Sequence, residues 1–231
     1  MNPKGYDNPD LLWSAEQLHT RLGDPRLVII DVREATTFAR GWIPGAMHFD
    51  LYGISLNDTS PKPLAAFMWM IQHLFEQRGV NLDKTVVFYE GIAGMRAARG
   101  FWLLEYLGHD DVHVLDGGFK AWQAAGYPVT TEPPRVQAVS FEPRVLAYSH
   151  ISADELHGLL GSGDLAVLDT RTDGEYTGTT VRAARGGTIP GAVHIEWTHN
   201  LDANGAFKPA AELRAMYAAA GVRPEQTVVS F

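Results

Sequence analysis

The chain has 231 residues, of which 45% are hydrophobic, 10% aromatic and 20% charged, close to the averages of soluble globular proteins. This composition argues against disordered, collagenous and coiled-coil structure. The net charge of −8 leads us to expect neither nucleic acid nor a membrane as a partner. The absence of cysteine excludes disulfides, cysteine-ligated metals and a cysteine nucleophile from these 231 residues.

The N-terminal segment carries no targeting signal that can be recognised. It lacks the apolar stretch of a signal peptide, and no apolar run in the chain approaches the roughly 18 residues of a transmembrane helix. We therefore expect a cytoplasmic location.

Four short blocks of sequence occur twice, in the same order. The SAEQLH block at residues 14–19 and the DVR block at 31–33 both recur 138 residues later, as SADELH and DTR. The IPGAMH block at 43–48 recurs 146 residues later, and the block at 79–89 recurs at 221–231. The change of offset places extra residues around Tyr176 to Arg185, where we expect a loop. The pattern indicates a duplicated domain.

Strands alternate with helices along each copy. Helices are predicted to begin at Ser14 and Ser152, because Gln17 and Glu155 follow at the spacing of a capping box. Short apolar runs predict buried strands of a parallel sheet at 27–30, 86–89, 112–115 and 165–168. Apolar residues at helical spacing predict helices over 66–75 and 96–107. The fold class expected is α/β, with a parallel sheet flanked by helices in each copy.

The chain is predicted to contain two such domains joined by a linker. Residues 127–150 are rich in proline and show little periodicity, which is typical of a connecting segment. We place an N-terminal domain at 1–132, a linker at 133–148 and the first part of a C-terminal domain at 149–231.

The loop after the 86–89 strand is the first candidate site, because ligands of parallel α/β sheets bind beyond the carboxyl ends of the strands. Its sequence, EGIAGMR at 90–96, has two glycines and enters a helix, which suits an anion or a thiolate. A glycine turn without a ligand is the alternative. Glu90 stands where a nucleophile would stand, and we interpret it as compensating the helix dipole.

No cofactor and no metal are predicted. The G-x-G-x-x-G pattern of dinucleotide sites is absent. His109 and His113 are four residues apart, but they lie in a predicted turn that enters a strand, where this spacing does not bring both to a metal. Residues 202–205 resemble the start of a calcium loop without its later glutamate, so a plain turn is expected.

In these motifs and their order, the chain resembles the tandem rhodanese-type sulfurtransferases from about Leu12 to its end. The motifs that carry the resemblance are DVRE at 31–34, DTR at 169–171, IPGA at 43–46, RGGTIPGA at 185–192 and VHVLDGGFKAW at 112–122. The resemblance implies an inactive first domain and a second domain with a catalytic cysteine. That cysteine would pass a sulfane sulfur from thiosulfate or 3-mercaptopyruvate to cyanide or a thiol, so the partners implied are a small anionic donor and one of these acceptors.

The resemblance also gives an expected position for the nucleophile. By the offset of the repeat, Phe231 aligns with Tyr89, so we expect the cysteine directly after Phe231. The second domain is then incomplete and the 1–231 chain inactive. The alternative is a non-catalytic rhodanese-like binding or regulatory module, which an Asp, Glu or Ser after Phe231 would favour. A phosphatase of related fold is disfavoured by the duplication.

Three residues are candidates for binding substrate. Arg185 and Arg182 precede the second IPG motif, where the family places arginines, and the sulfur donors are anions. Asp50 follows the first IPG motif. Each could instead be a solvated surface residue. Trp42 stands where mercaptopyruvate-type relatives carry a histidine, a departure that favours thiosulfate.

The polar residues at the strand ends are interpreted as structural. Asp31 with Arg33, and Asp169 with Arg171, are expected to form pairs or turns rather than to take part in catalysis.

Overall fold

The computed structural model describes residues 4–231 and divides them into two compact units. The N-terminal unit consists of Asn8–His150 and Ala203–Phe207. The C-terminal unit consists of residues 4–7, Ile151–Asp202 and Lys208–Phe231. Residues 1–3, which belong to the segment inspected above for a signal peptide, lie outside the described residues.

The N-terminal unit contains a five-stranded parallel sheet. Its strands, in chain order, are β1 (Leu12–Trp13), β2 (Leu27–Asp31), β3 (Met47–His48), β4 (Thr85–Tyr89) and β5 (Val112–Leu115). Their order across the sheet is β1-β5-β4-β2-β3. The three long strands predicted for this unit are confirmed, and the two-residue strands β1 and β3 were not predicted.

Helices cover both faces of this sheet. They are α1 (Ala15–His19), α2 (Ala35–Phe38), α3 (Pro61–Glu76), α4 (Met95–Tyr106) and α5 (Gly118–Ala124). The capping box predicted at the start of α1 is confirmed, since Ser14 and Gln17 each accept the other's amide hydrogen. The helix predicted over 66–75 begins earlier, at Pro61, where proline suits the first turn of a helix. In residues 4–231, no helix has the length and apolar character needed to cross a bilayer.

The C-terminal unit repeats part of this architecture. Its elements are α6 (Ala153–Leu159), β6 (Leu165–Asp169), α7 (Asp173–Thr177), β7 (Val193–His194), α8 (Ala210–Ala219) and β8 (Thr227–Ser230). The three strands are parallel in the order β7-β6-β8, which matches β3-β2-β4. Leu165 pairs with Thr227 as Leu27 pairs with Thr85, so the register follows the sequence repeat. The predicted α/β fold with parallel sheets is therefore confirmed in both units.

The proline-rich segment 133–148, here called the strap, packs against the N-terminal unit. The amides of Val139 and Phe141 donate to the Glu76 carbonyl and carboxylate, at 3.1 and 3.0 Å. The Leu146 amide donates to the Tyr106 carbonyl at 2.8 Å. Phe141 is only 1% exposed and joins the core between the sheet, α3 and α4. The strap is thus an integral part of this unit, although it has no helical or strand periodicity.

Replacement of Phe141 by alanine tests this packing. Because the ring is fully buried, we expect Phe141→Ala to lower the free energy of unfolding by about 3–5 kcal/mol, measured by urea denaturation. Val145→Ala is the matched control on the same strap, since Val145 is 52% exposed and its truncation should cost about 0.5 kcal/mol or less. Equal and small effects of both substitutions would show that the strap is not packed in solution.

Candidate active site

A buried ion pair marks the carboxyl edge of the N-terminal sheet. Arg33 Nε and Nη2 lie 2.9 and 2.5 Å from the Asp31 carboxylate, and neither side chain is more than 6% exposed. Nη2 also donates to the Gly41 carbonyl at 2.8 Å, and the guanidinium lies 3.9 Å above the Phe119 ring. The pair predicted from the sequence is present, and Nε and Nη2 of its arginine are both engaged within the fold.

The C-terminal unit contains the same pair in a more open setting. Arg171 Nε and Nη2 lie 2.9 and 2.5 Å from the Asp169 carboxylate, and Nη2 donates to the Gly187 carbonyl at 2.9 Å. Thr188 Oγ1 donates to Asp169 Oδ2 at 2.7 Å. Burial acts to raise the pKa of Asp169, but the hydrogen bonds from Arg171 and Thr188 outweigh it and hold the pKa below its ordinary value. Arg171 is 33% exposed, so this pair presents part of its guanidinium to solvent.

Phe231 follows β8 and is held by the neighbouring strand as Tyr89 is in the other unit. The amide and hydroxyl of Thr170 both donate to the Phe231 carbonyl, at 2.9 Å each. In the N-terminal unit, the amide of Val32 donates to the Tyr89 carbonyl at 2.9 Å. Phe231 is therefore the structural counterpart of Tyr89, as the sequence offset predicts, and the position after it corresponds to Glu90.

In the loop that follows β4, the Glu90 carboxylate binds backbone amides at the start of the next helix. Glu90 Oε1 accepts hydrogen bonds from the amides of Arg96 and Ala97, at 2.7 and 3.0 Å, in the first turn of α4. Gly94, which precedes the helix, supplies no capping side chain, and a Cβ atom there would lie 2.8 Å from Glu90 Oε1. Glu90 thus takes the place of an N-cap, which confirms its interpretation as a partner of the helix terminus.

Three further backbone groups of this loop are also engaged. The Ala93 amide donates to the Gly205 carbonyl at 2.8 Å, and residues 203–207 belong to the same unit. The Glu90 and Gly91 carbonyls accept from Phe119 and Lys120, at 2.7 and 3.0 Å. The loop of the N-terminal unit is therefore built as a packed structural element.

The arginines predicted to bind substrate lie on the insertion of the C-terminal unit. Arg182 Nε forms an ion pair with Glu175 Oε1 at 2.9 Å, and its side chain is 65% exposed. Arg185 is exposed and forms no hydrogen bond or ion pair with any described residue. Asp50 lies in the N-terminal unit, where Oδ1 accepts the Tyr52 amide at 2.9 Å and closes a turn. The substrate-binding role of all three stays a prediction.

Two polar residues near Asp169 were missed by sequence reasoning. Thr188 and Thr170 are the counterparts of Trp42 and Val32 in the first copy. At both positions the second copy has threonine where the first has an apolar residue. This difference between the two copies could have revealed them.

The histidines considered for a metal have other partners. His109 Nε2 lies 2.9 Å from the Asn81 carbonyl, and His113 lies between the Asp10 carbonyl and the Asp111 carboxylate, at 2.5 and 2.9 Å. Across residues 4–231, no three metal-ligating side chains are grouped as a metal site would need.

The charge of Glu90 should make stability depend on pH. Burial raises the pKa of this carboxyl, although the Ala97 and Arg96 amides act in the opposite direction. A carboxyl with a raised pKa in the folded state contributes stability at low pH and loses it as the pH rises. We therefore expect the free energy of unfolding of Glu90→Gln, minus that of the wild type, to be highest at pH 7 and to decrease towards pH 4.

Urea denaturation across this pH range measures the effect. Glu105→Gln, an exposed position on α4, is the control for the substitution itself. A difference for Glu90→Gln that grows as the pH falls would contradict the assignment.

Comparison with known proteins agrees with this geometry. The model of the Rhodanese-like domain family matches residues 14–125 and 152–231. The chain is 33% identical over 220 residues to a thiosulfate sulfurtransferase of Azotobacter vinelandii, covering 95% of this chain and 81% of that protein. It is 32% identical over 227 residues to a probable 3-mercaptopyruvate sulfurtransferase of Pseudomonas aeruginosa, covering 90% of this chain and 78% of that protein.

A solved structure shares the fold. The crystal structure of SseA, a 3-mercaptopyruvate sulfotransferase from Escherichia coli, matches with a TM-score of 0.79 at 24% identity, over 95% of this chain and 87% of that one. Since the family model covers both copies of the repeat, and relatives above 30% identity span most of the chain, the protein belongs to the rhodanese family of thiosulfate and 3-mercaptopyruvate sulfurtransferases.

Proposed function

We propose that this protein carries a sulfane sulfur from thiosulfate, or from 3-mercaptopyruvate, through a cysteine persulfide to cyanide or a thiol. The observation that carries the proposal is the register of β8. Phe231 occupies the position of Tyr89, and the residue after Tyr89 sits at a helix N-terminus and receives two backbone amides. The equivalent position in a C-terminal domain suits a nucleophile that reacts as an anion.

We propose a cysteine at the position directly after Phe231. The 231 residues contain no cysteine, so they are expected to be inactive by themselves. Amide hydrogens of the kind that hold Glu90 lower the pKa of a thiol, and the thiolate is the reactive form.

The reaction conserves atoms and electrons in two displacements. The thiolate attacks the outer sulfur of thiosulfate, the sulfur–sulfur bond breaks, and sulfite leaves with the electron pair of that bond. Cyanide or a thiolate then attacks the outer sulfur of the persulfide and leaves as thiocyanate or as a new persulfide. The protein thiolate is restored, and no external oxidant or reductant is needed.

Arg185 and Arg182 are proposed to bind the anionic donor. The absence of a partner for Arg185 among the described residues leaves its guanidinium fully available for an oxyanion. Arg182 pairs with Glu175 through Nε, which leaves both terminal nitrogens of its guanidinium as donors. Asp50, which lies in the N-terminal unit, is proposed separately as a substrate-binding residue, and its Oδ1 already accepts the Tyr52 amide.

Assay of a gene product that extends beyond Phe231 tests the nucleophile. We expect thiocyanate formation from thiosulfate and cyanide, its loss when the cysteine after Phe231 is replaced by serine, and no turnover by the 1–231 chain. Turnover by the 1–231 chain would refute the assignment. An Asp, Glu or Ser after Phe231, with no turnover, would instead identify a binding or regulatory module.

Replacement of Arg185 tests donor binding in the same extended protein. Loss of a charged hydrogen bond of about 1.5 kcal/mol or more should raise the KM for thiosulfate roughly tenfold, with a smaller change in kcat. Arg223→Ala is the control, because Arg223 is an exposed arginine of the same unit that pairs with Glu225. An unchanged KM in Arg185→Ala would remove this residue from the donor site.

A further inference from the structure

A cavity of about 280 Å³ lies in the N-terminal unit, beside the strap. Its wall includes Leu27 and Met47, the first residues of β2 and β3, and Gln137 of the strap. It is therefore at the amino edge of the sheet, whereas Glu90 follows the carboxyl end of β4. The cavity is separate from the loop that corresponds to the proposed nucleophile.

The charges around this cavity are all positive. Arg78, Lys84 and Arg135 line it, and no acidic residue among those described does so. This contrasts with the chain as a whole, which has 27 acidic residues and 19 basic ones. None of the three cations forms an ion pair with a described residue, whereas Arg33 and Arg96 each have a carboxylate partner.

Two of the three cations are held in place by backbone carbonyls. Arg78 Nε donates to the His48 carbonyl at 3.0 Å and Nη1 to the Leu74 carbonyl at 2.7 Å, which leaves Nη2 without a protein acceptor. Lys84 Nζ donates to the Pro25 carbonyl at 2.9 Å and retains two further hydrogens. The cations are thus fixed while part of their donor capacity is unused.

The burial of Arg78 adds a reason for an anion to bind. Its guanidinium lies 4.0 Å above the Phe49 ring and is half-buried, and burial lowers its pKa. A cation that has lost part of its hydration and has no carboxylate partner gains from an added negative charge.

The strap closes one side of this cavity and contributes to its charge. Gly79 has a φ of +75°, and a Cβ atom there would lie 3.2 Å from the Gln137 carbonyl, so the strap approaches α3 closely at this point. Arg135, the third cation, belongs to the strap.

We propose that this cavity binds a small inorganic oxyanion of charge near −2, such as sulfate or hydrogen phosphate, between Arg78, Lys84 and Arg135. The carbonyl-anchored cations provide fixed donors, and the guanidinium and ammonium groups match the oxygens of a tetrahedral anion. The site does not depend on the nucleophile or on the donor arginines of the C-terminal unit.

The site is tested by calorimetric titration of the 231-residue protein with sulfate and with phosphate. The buffer contains chloride at matched ionic strength. We expect Arg135→Ala to weaken binding at least threefold and the double variant Lys84→Met with Arg135→Ala at least tenfold. Arg135 is exposed and forms no hydrogen bond or ion pair with a described residue, so its substitution leaves the structure intact. Amide resonances of Gly79 and Gln137 should shift on titration.

Two matched arginine substitutions identify where the anion binds. Arg40→Ala, an exposed arginine of the same unit outside the cavity, should change the affinity less than twofold, and Arg185→Ala distinguishes this cavity from the donor arginines. Absence of binding beyond that of chloride, equal affinity in the double variant, or loss of binding in Arg185→Ala would each overturn the proposal. The last result would place the anion at the donor arginines instead.

Discussion

Each repeat is organised by an aspartate at the end of a central strand and an arginine two residues later. In the N-terminal unit, the Asp31–Arg33 pair is almost completely shielded from water. Removal of one partner leaves the other charge buried without compensation, and typically lowers the free energy of unfolding by about 3–5 kcal/mol. The arginine also holds the carbonyl that precedes the IPG motif, and its own carbonyl accepts from His48, so the pair ties β2 to the segment that leads into β3.

The two copies of this arrangement have diverged at a few positions. Where the first copy has Trp42, which stacks on Phe38, the second has Thr188, which donates to Asp169. Where the first has Val32, the second has Thr170, whose hydroxyl holds the last carbonyl of β8. These changes replace apolar packing by hydrogen bonds at one sheet edge. The first copy closes its loop with Glu90, whereas in the second the two threonine hydroxyls bind the Asp169 carboxylate and the Phe231 carbonyl.

The regular elements could be predicted because their signals are local. The capping boxes at Ser14 and Ser152 and the apolar runs of β2, β4, β5 and β6 each lie within a few residues, and all were confirmed. The two-residue strands were missed, because two residues show no periodicity. The position of the nucleophile was inferred from repeat offsets, and the β8 register that supports it depends on the same repeat.

The interactions that were missed depend on how the chain folds back on itself. The pairing of Arg182 with Glu175 depends on how the insertion folds back on α7. The strap was expected to be a linker because four prolines lie within it or just before it. Its hydrogen bonds to Glu76 and Tyr106 join residues far apart in sequence, and no window of sequence contains both partners.

The position of Phe141 has a consequence for synthesis on the ribosome. The ring completes a core whose other members come from residues 28–114, and it is encoded after the last helix of the first repeat. A nascent chain that has reached only residue 132 still exposes the ends of α3 and α4 that the strap covers. The first repeat therefore cannot complete its core until the strap has been synthesised.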